Sequence, residues 1–263
     1  MGVWAAVAAL SLLGLLQACT TTTQNAEGRE IRPANEPADP ERRARARLEL
    51  AGAYYSRGQH ETALDEVKLA LAAKSDLPEA YSLRGLILSS LGDLPAAEES
   101  FQRALRLAPQ DGSTMHNYGW FLCQQRRFAD ADLQFGAALQ QPQYRDLVRT
   151  LLAQGVCQAR AGLWSAAERT LSRSYELDPS NPVTAFNLSE VLLRRGELER
   201  ARFYVRRVNA VPDQVSAQSL WLAARIERRM GNLAEVQILG RQLQDRFPQS
   251  PEYIQFDGGR FDD

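Results

Sequence analysis

The sequence predicts an all-α fold, a right-handed superhelical solenoid of about six helix-turn-helix repeats. Three observations carry that expectation. A small residue recurs about every 34 positions from Ala51 onward. A glycine follows at Gly58, Gly92, Gly162, Gly196 and Gly231, where a turn between two helices is needed. Prolines close successive units at Pro109, Pro142, Pro179, Pro212 and Pro248.

The elements follow in order. Asp39-Pro40-Glu41 supplies an N-cap, a first-turn proline and a first-turn acid, so helix begins here and the solenoid is assigned to 41–256. The small residues of the first helices align as Ala51, Gly85, Gly119, Gly155, Ser189 and Ala223, with spacings of 34, 34, 36, 34 and 34. Twelve residues later comes Ala63, Ala97, Ala131, Ala167 and Ala201, and less cleanly Glu235 or Val236. Four later is a large apolar residue, Val67, Phe101, Phe135, Leu171 or Val205. The third unit places Arg126 or Arg127 where the others have the turn glycine. Small residues let helices A and B approach, and the large residue on B fills the space between units. This is the pattern of the tetratricopeptide repeat (TPR), in which one hairpin cannot bury its apolar face but a stack can. Ser250–Phe256 is expected to cap the stack, and 257–263, with two glycines, to form a loose tail.

Composition narrows the chemistry. The 263 residues are 44% hydrophobic and 24% charged, a globular balance, and the net charge of −1 gives no case for a nucleic-acid partner. The 31 basic residues include only two lysines, Lys68 and Lys74, which disfavours a Lys base, a Schiff base or a P-loop. Two His and three Cys argue against a zinc site, and no metal or cofactor is expected. No GxSxG, HExxH or GxxxxGK motif is present. His60 falls in an interhelical turn and His116 has no nucleophile or paired carboxylate in motif spacing, while Glu98 and Glu99 read as solvated charge. The expectation is a binding protein and not an enzyme.

Residues 3–16 are apolar and uncharged, about 14 residues where a spanning helix needs ~20. They read as the core of a secretion signal. The run ends in Leu16-Gln17-Ala18-Cys19, which resembles a bacterial lipobox, although Gln17 and the missing basic residue at the start depart from it. That resemblance implies a signal peptide over 1–18 and lipidation of Cys19. Thr20, not Asp, follows the cysteine, which by the same resemblance implies the outer membrane of a Gram-negative cell, periplasmic face. Residues 19–40 hold one bulky apolar residue and three prolines and read as a tether. Its length beyond the cysteine reaches at most roughly 70 Å.

On a TPR stack the A helices line the concave face. Counting by unit, the inward positions are Leu48, Gly52 and Tyr55; Ser82, Leu86 and Ser89; His116, Trp120 and Cys123; Leu152, Val156 and Ala159; Phe186, Glu190 and Leu193; Leu220, Ala224 and Glu227. This row is either an apolar groove for a peptide or ordinary core between neighbouring repeats. Relatives that grip an acidic tail place lysines on this face, and neither lysine here is on it. Asn117 and Asn187 occupy equivalent positions, suited to holding a peptide backbone or to bridging repeats. Beyond Cys19, the two remaining thiols, Cys123 and Cys157, lie on adjacent A helices 34 residues apart. A disulfide is the expected state in an oxidising compartment, against buried free thiols or metal binding.

Unit three reads Met115-His-Asn-Tyr-Gly-Trp-Phe-Leu-Cys123, and unit four Gly155-Val-Cys157. Further on come Ser219-Leu-Trp-Leu-Ala-Ala-Arg-Ile-Glu-Arg-Arg-Met-Gly231 and Arg246-Phe-Pro-Gln-Ser-Pro-Glu-Tyr253. Together these resemble the PilF/PilW family of type IV pilus biogenesis and stability lipoproteins, over roughly 41–256. The resemblance implies a pilotin, which accompanies the pilus secretin to the outer membrane and promotes its multimerisation. The secretin subunit is then the partner and the first repeats a docking surface, with Leu48, Tyr55 and Leu86 as candidate contacts. The competing expectation is a periplasm-facing TPR adaptor serving cell-wall enzymes or β-barrel assembly.

Overall fold

The computed structural model describes residues 39–261; the expected signal peptide, Cys19 and nearly all of the tether lie outside the described residues. Within them, α1 (Pro40–Ser56) pairs with α2 (His60–Ala73), α3 (Pro78–Leu91) with α4 (Leu94–Leu107), and α5 (Gly112–Gln124) with α6 (Phe128–Leu139). Then α7 (Leu147–Arg160) pairs with α8 (Trp164–Leu177), α9 (Pro182–Arg194) with α10 (Leu198–Asn209), and α11 (Ala217–Arg229) with α12 (Leu233–Arg246), and α13 (Pro251–Asp257) closes the stack. Each A helix packs on its own B helix and on the next pair, so Pro40–Phe261 is an all-α solenoid. No helix among the described residues is long and apolar enough to cross a membrane.

Local chemistry explains the boundaries. Proline sits in the first turn of α1, α3, α4, α9 and α13, where its missing N–H costs nothing. Asp111 caps α5 by accepting from the Ser113 and Thr114 amides at 3.0 and 3.2 Å, and Asn181 caps α9 in the same way. Ser216 and Ser219 form a reciprocal capping box at α11. Lys74, at the end of α2, reaches back 2.9 Å to Glu41, which ties the last turn of unit one to its first.

The turn glycines leave helix A in the left-handed region, at φ between 74° and 85°. The next amide then bonds back across the turn, as Asp93 N–H does to Leu88 O at 3.0 Å. In the third unit Arg126 adopts this conformation, with φ 60°. A β-carbon is strained there, so Arg126→Gly should raise stability by about 1 kcal/mol, read from the urea midpoint. An unchanged or lower midpoint would mean that the Arg126 side chain compensates.

The small-against-large rule holds by direct contact. A β-carbon on Gly85 would lie 2.8 Å from the Phe101 ring, and on Gly119 2.9 Å from Phe135. Phe101 also meets the next A helix, at 5.6 Å from Tyr118 and 5.5 Å from Phe121. One ring thus seals both its own hairpin and the seam to the following one.

Three expectations are corrected. In the sixth unit the position equivalent to Gly85 is Ala224, not Ala223: α11 starts seven residues before it, as α3 does before Gly85, and Gly231 follows seven after. The extra residue sits in the longer link that contains a 3₁₀ turn at Pro212–Gln214. In this register the large position on α12 is Gly240, and the missing ring is supplied by Phe256 of α13, within 2.0 Å of where a Gly240 β-carbon would be. The stretch after α13 is not loose up to Phe261, whose ring lies 4.9 Å from Trp221. Glu98 is not merely solvated: its Oε1 accepts from Tyr118 Oη at 2.7 Å, and Oε1 and Oε2 accept from Arg127 Nη1 at 2.7 and 2.8 Å. Burial opposes its ionisation, but these donors from Tyr118 and Arg127 outweigh burial and hold its carboxyl below the usual range.

Candidate partner groove

The row of inward positions comes from one face of each A helix. Leu48, Tyr55, Leu86, Trp120, Leu152, Val156, Ala159, Phe186 and Glu190 are all half-buried, and all but Val156 and Glu190 pack against the core. Tyr55 also reaches Ser90 of the next unit, with 3.5 Å between their hydroxyl oxygens, and its ring sits 5.5 Å from His60, which opens α2 and is half-buried rather than free in a turn. Between α7 and α9 the row deepens into a hollow of about 260 Å³. Val156 and Ala159 form its apolar floor, Trp164 one wall, and Asn187, Glu190 and Arg194 its polar side.

His116 does not line this groove. It is 4% exposed, with Nδ1 2.8 Å from Thr150 Oγ1 and its ring 5.8 Å from Phe135. Thr150 Oγ1 is in turn 2.6 Å from Tyr144 Oη. Tyr144 belongs to the link with two extra residues between units three and four, and its ring lies over Gly112, which leaves room for no β-carbon. The link thus adds a second partner to the hydroxyl that meets the imidazole. Burial, and then the positive field of Arg149, push the His116 pKa down to about 4, so it is neutral at pH 7.

Asn117 takes the bridging role: its Nδ2 donates to Ser82 Oγ at 3.3 Å, and its Oδ1 accepts from Arg149 at 3.5 Å, which links units two, three and four. Asn187 does not bridge; its Nδ2 donates to Val183 O of its own helix at 2.8 Å, on the edge of the hollow. Cys123 and Cys157 form a disulfide with Cα atoms 5.8 Å apart, which joins α5 to α7. Both are buried and neither lines the groove. Ser82 and Leu193 are likewise buried.

The sixth-unit row needs its register moved by one. Leu220, Ala224 and Glu227 are all core, and Glu227, 2% exposed, accepts from Arg206 at 2.9 Å and Asn232 at 2.6 Å. The positions that continue the row are Trp221, Arg225 and Arg228. The sequence held a signal for this in Gly231, since the turn glycine fixes the frame.

The chain compares with known proteins as follows. A family model for the tetratricopeptide repeat matches residues 78–111, which is the second unit. The type IV pilus assembly protein PilF of Pseudomonas aeruginosa is 24% identical over 256 residues, covering 97% of this chain and 98% of the relative. The crystal structure of PilW, a widely conserved type IV pilus biogenesis factor, superposes with a TM-score of 0.75 at 29% identity, covering 81% of this chain and 97% of that one. A structure of Pseudomonas aeruginosa PilF shares the fold, with a TM-score of 0.73 over 84% of this chain and 99% of its own at 22% identity. The likeness extends through nearly the whole length of each relative. The chain is a tetratricopeptide-repeat protein homologous to the type IV pilus biogenesis proteins PilF and PilW.

Proposed function

We propose that this chain is a pilotin, a lipid-anchored outer-membrane protein that binds the secretin subunit of a type IV pilus system and promotes its localisation and multimerisation. The observation that carries the reading is the end-to-end match to PilF and PilW behind a cysteine in lipobox context. The Cys123–Cys157 disulfide supports a life outside the reducing cytosol. The half-buried apolar row supports binding of an extended or helical segment, with no catalytic step. In this reading Cys19 gives the membrane address, the tether gives reach, and Leu48, Tyr55 and Leu86 of the first units contribute to docking.

The test is Cys19→Ala in cells. The folded solenoid should persist with unchanged circular dichroism, while the protein leaves the outer-membrane fraction and heat-resistant secretin multimers fall at least about tenfold there, since acyl anchoring is lost with the thiol. Normal multimers in the outer membrane would end the proposal.

A further inference from the structure

We propose that Gly258–Phe261 is an internal ligand of the groove, seated on the sixth-unit row and displaced by an extended peptide that presents an aromatic side chain beside carboxylates. The inference rests on reading the A-helix row as the partner surface. Two of the aromatics that follow α12, Phe256 and Phe261, both meet Trp221, at 6.4 and 4.9 Å, but do different work. Phe256 completes the interior, since it fills the notch left by Gly240. Phe261 lies beyond the helix and covers the row itself: its ring is 4.9 Å from Trp221, tilted by 41°, and the Arg228 guanidinium sits 4.9 Å from its centroid. Trp221 and Arg228 are the sixth unit's counterparts of Leu48 and Tyr55 in the first, by the register that Gly231 fixes. Phe261 holds the place where a partner's side chain would enter.

The backbone is built for this return. Gly259 takes φ 67°, Gly259 N–H bonds to Phe256 O at 3.0 Å, and Arg260 N–H bonds to Gln255 O at 2.9 Å. This is the same turn that ends the A helices, used here to fold the chain back. The chemistry of the seat defines the competitor. An indole and a guanidinium together select an aromatic ring. Arg228 is the exposed cation beside the ring, while Arg225 of the same row is buried, and the residues that follow Phe261 in sequence are Asp262 and Asp263. A competitor therefore combines an aromatic residue with adjacent acids. Because the segment is covalently attached it acts at an effective concentration near millimolar, and a free peptide binds only the fraction of molecules in which the seat is open.

The probe is a fluorescein-labelled peptide of residues 258–263, Gly-Gly-Arg-Phe-Asp-Asp, titrated by anisotropy into the full chain. Phe261→Ala should bind it about tenfold more tightly than the unsubstituted chain does. Gly259→Val keeps the ring but strains the return, and should shift affinity in the same direction. Adding Arg228→Glu, on an exposed position, to Phe261→Ala should reverse the gain, and the peptide with its Phe replaced by Ala should not bind. Equal affinity with and without Phe261, or binding indifferent to Arg228, overturns the proposal. So does a wild-type dimer that becomes monomeric in Phe261→Ala, because the segment would then seat on a second copy. No secretin enters this assay, so failure of the pilotin reading leaves its outcome intact, and the reverse also holds.

Discussion

Gly85→Leu should destabilise the solenoid by about 3 kcal/mol, or abolish folding, as read from the urea midpoint at constant slope. The reason is contact, not propensity. Three carbons of the Phe101 ring lie within 2.9 Å of where even a β-carbon would stand. Phe101 cannot retreat, because its far side touches Tyr118 and Phe121 of the next unit. Leucine is a better helix former than glycine, so by propensity alone the substitution should help by some tenths of a kcal/mol. A control isolates the cause: Gly52 is also within an A helix, but no atom lies within 4 Å of its β-carbon position. Gly52→Ala should therefore stabilise by about 0.5 to 1 kcal/mol. Opposite signs for these two helix glycines would establish that Gly85 is kept for the approach of Phe101. Combining Gly85→Ala with Phe101→Leu should recover part of the loss, as a double-mutant cycle between touching residues requires.

What could be read beforehand follows the same division. The repeat was legible because each unit repeats its own local rules: a small residue facing a large one, a glycine at positive φ, and a proline after the B helix. These rules set helix ends and seams with little help from distant residues. The first five units follow them, apart from Arg126 at the third turn, and the disulfide joins thiols on adjacent A helices at non-equivalent positions, four after Gly119 and two after Gly155, with Cα atoms 5.8 Å apart. The sixth unit went astray where the local rule was degenerate. Ala223 and Ala224 are both small, and only the turn glycine separates the two frames. The fate of the last residues was not legible, because the partners of Phe261, Trp221 and Arg228, lie 40 and 33 positions upstream and come near only through the stack. Two glycines that looked like slack supply a directed turn. The repeat register puts His116 on the inward face, but it is buried against Thr150, whose hydroxyl also meets Tyr144 of the link Gln141–Asp146, and burial of this kind is a tertiary fact.

Acid should weaken the protein chiefly through that histidine. In the unfolded chain an imidazole titrates near 6.5, and in the fold His116 does so at about 4, because burial disfavours the cation and Arg149 adds repulsion, while Asp146 opposes weakly. The unfolded state thus binds more protons between those two values. Stability is full above pH 6.5 and falls as pH drops toward 4, by on the order of 3 kcal/mol from this residue alone. Glu98 adds a separate loss at lower pH, since its depressed carboxyl stabilises the fold only while ionised. The groups in direct contact with the ring, Thr150 and Phe135, are neutral, and neither can balance an imidazolium. Urea unfolding at pH 7 and at pH 4.5 should show the loss in the unsubstituted chain and a flatter dependence in His116→Gln. The comparison is of slopes with pH, so any constant cost of the substitution, and the part due to Glu98, cancels. Parallel curves would mean that His116 titrates as an ordinary histidine. The position of the strain is also specified. His116 and Thr150 join the early turns of α5 and α7, and Cys123 and Cys157 join their later turns. Protonation should therefore loosen one end of this helix pair while the crosslink holds the other, so amide exchange in α5 should rise with acid near Met115–Tyr118 before it rises near Cys123.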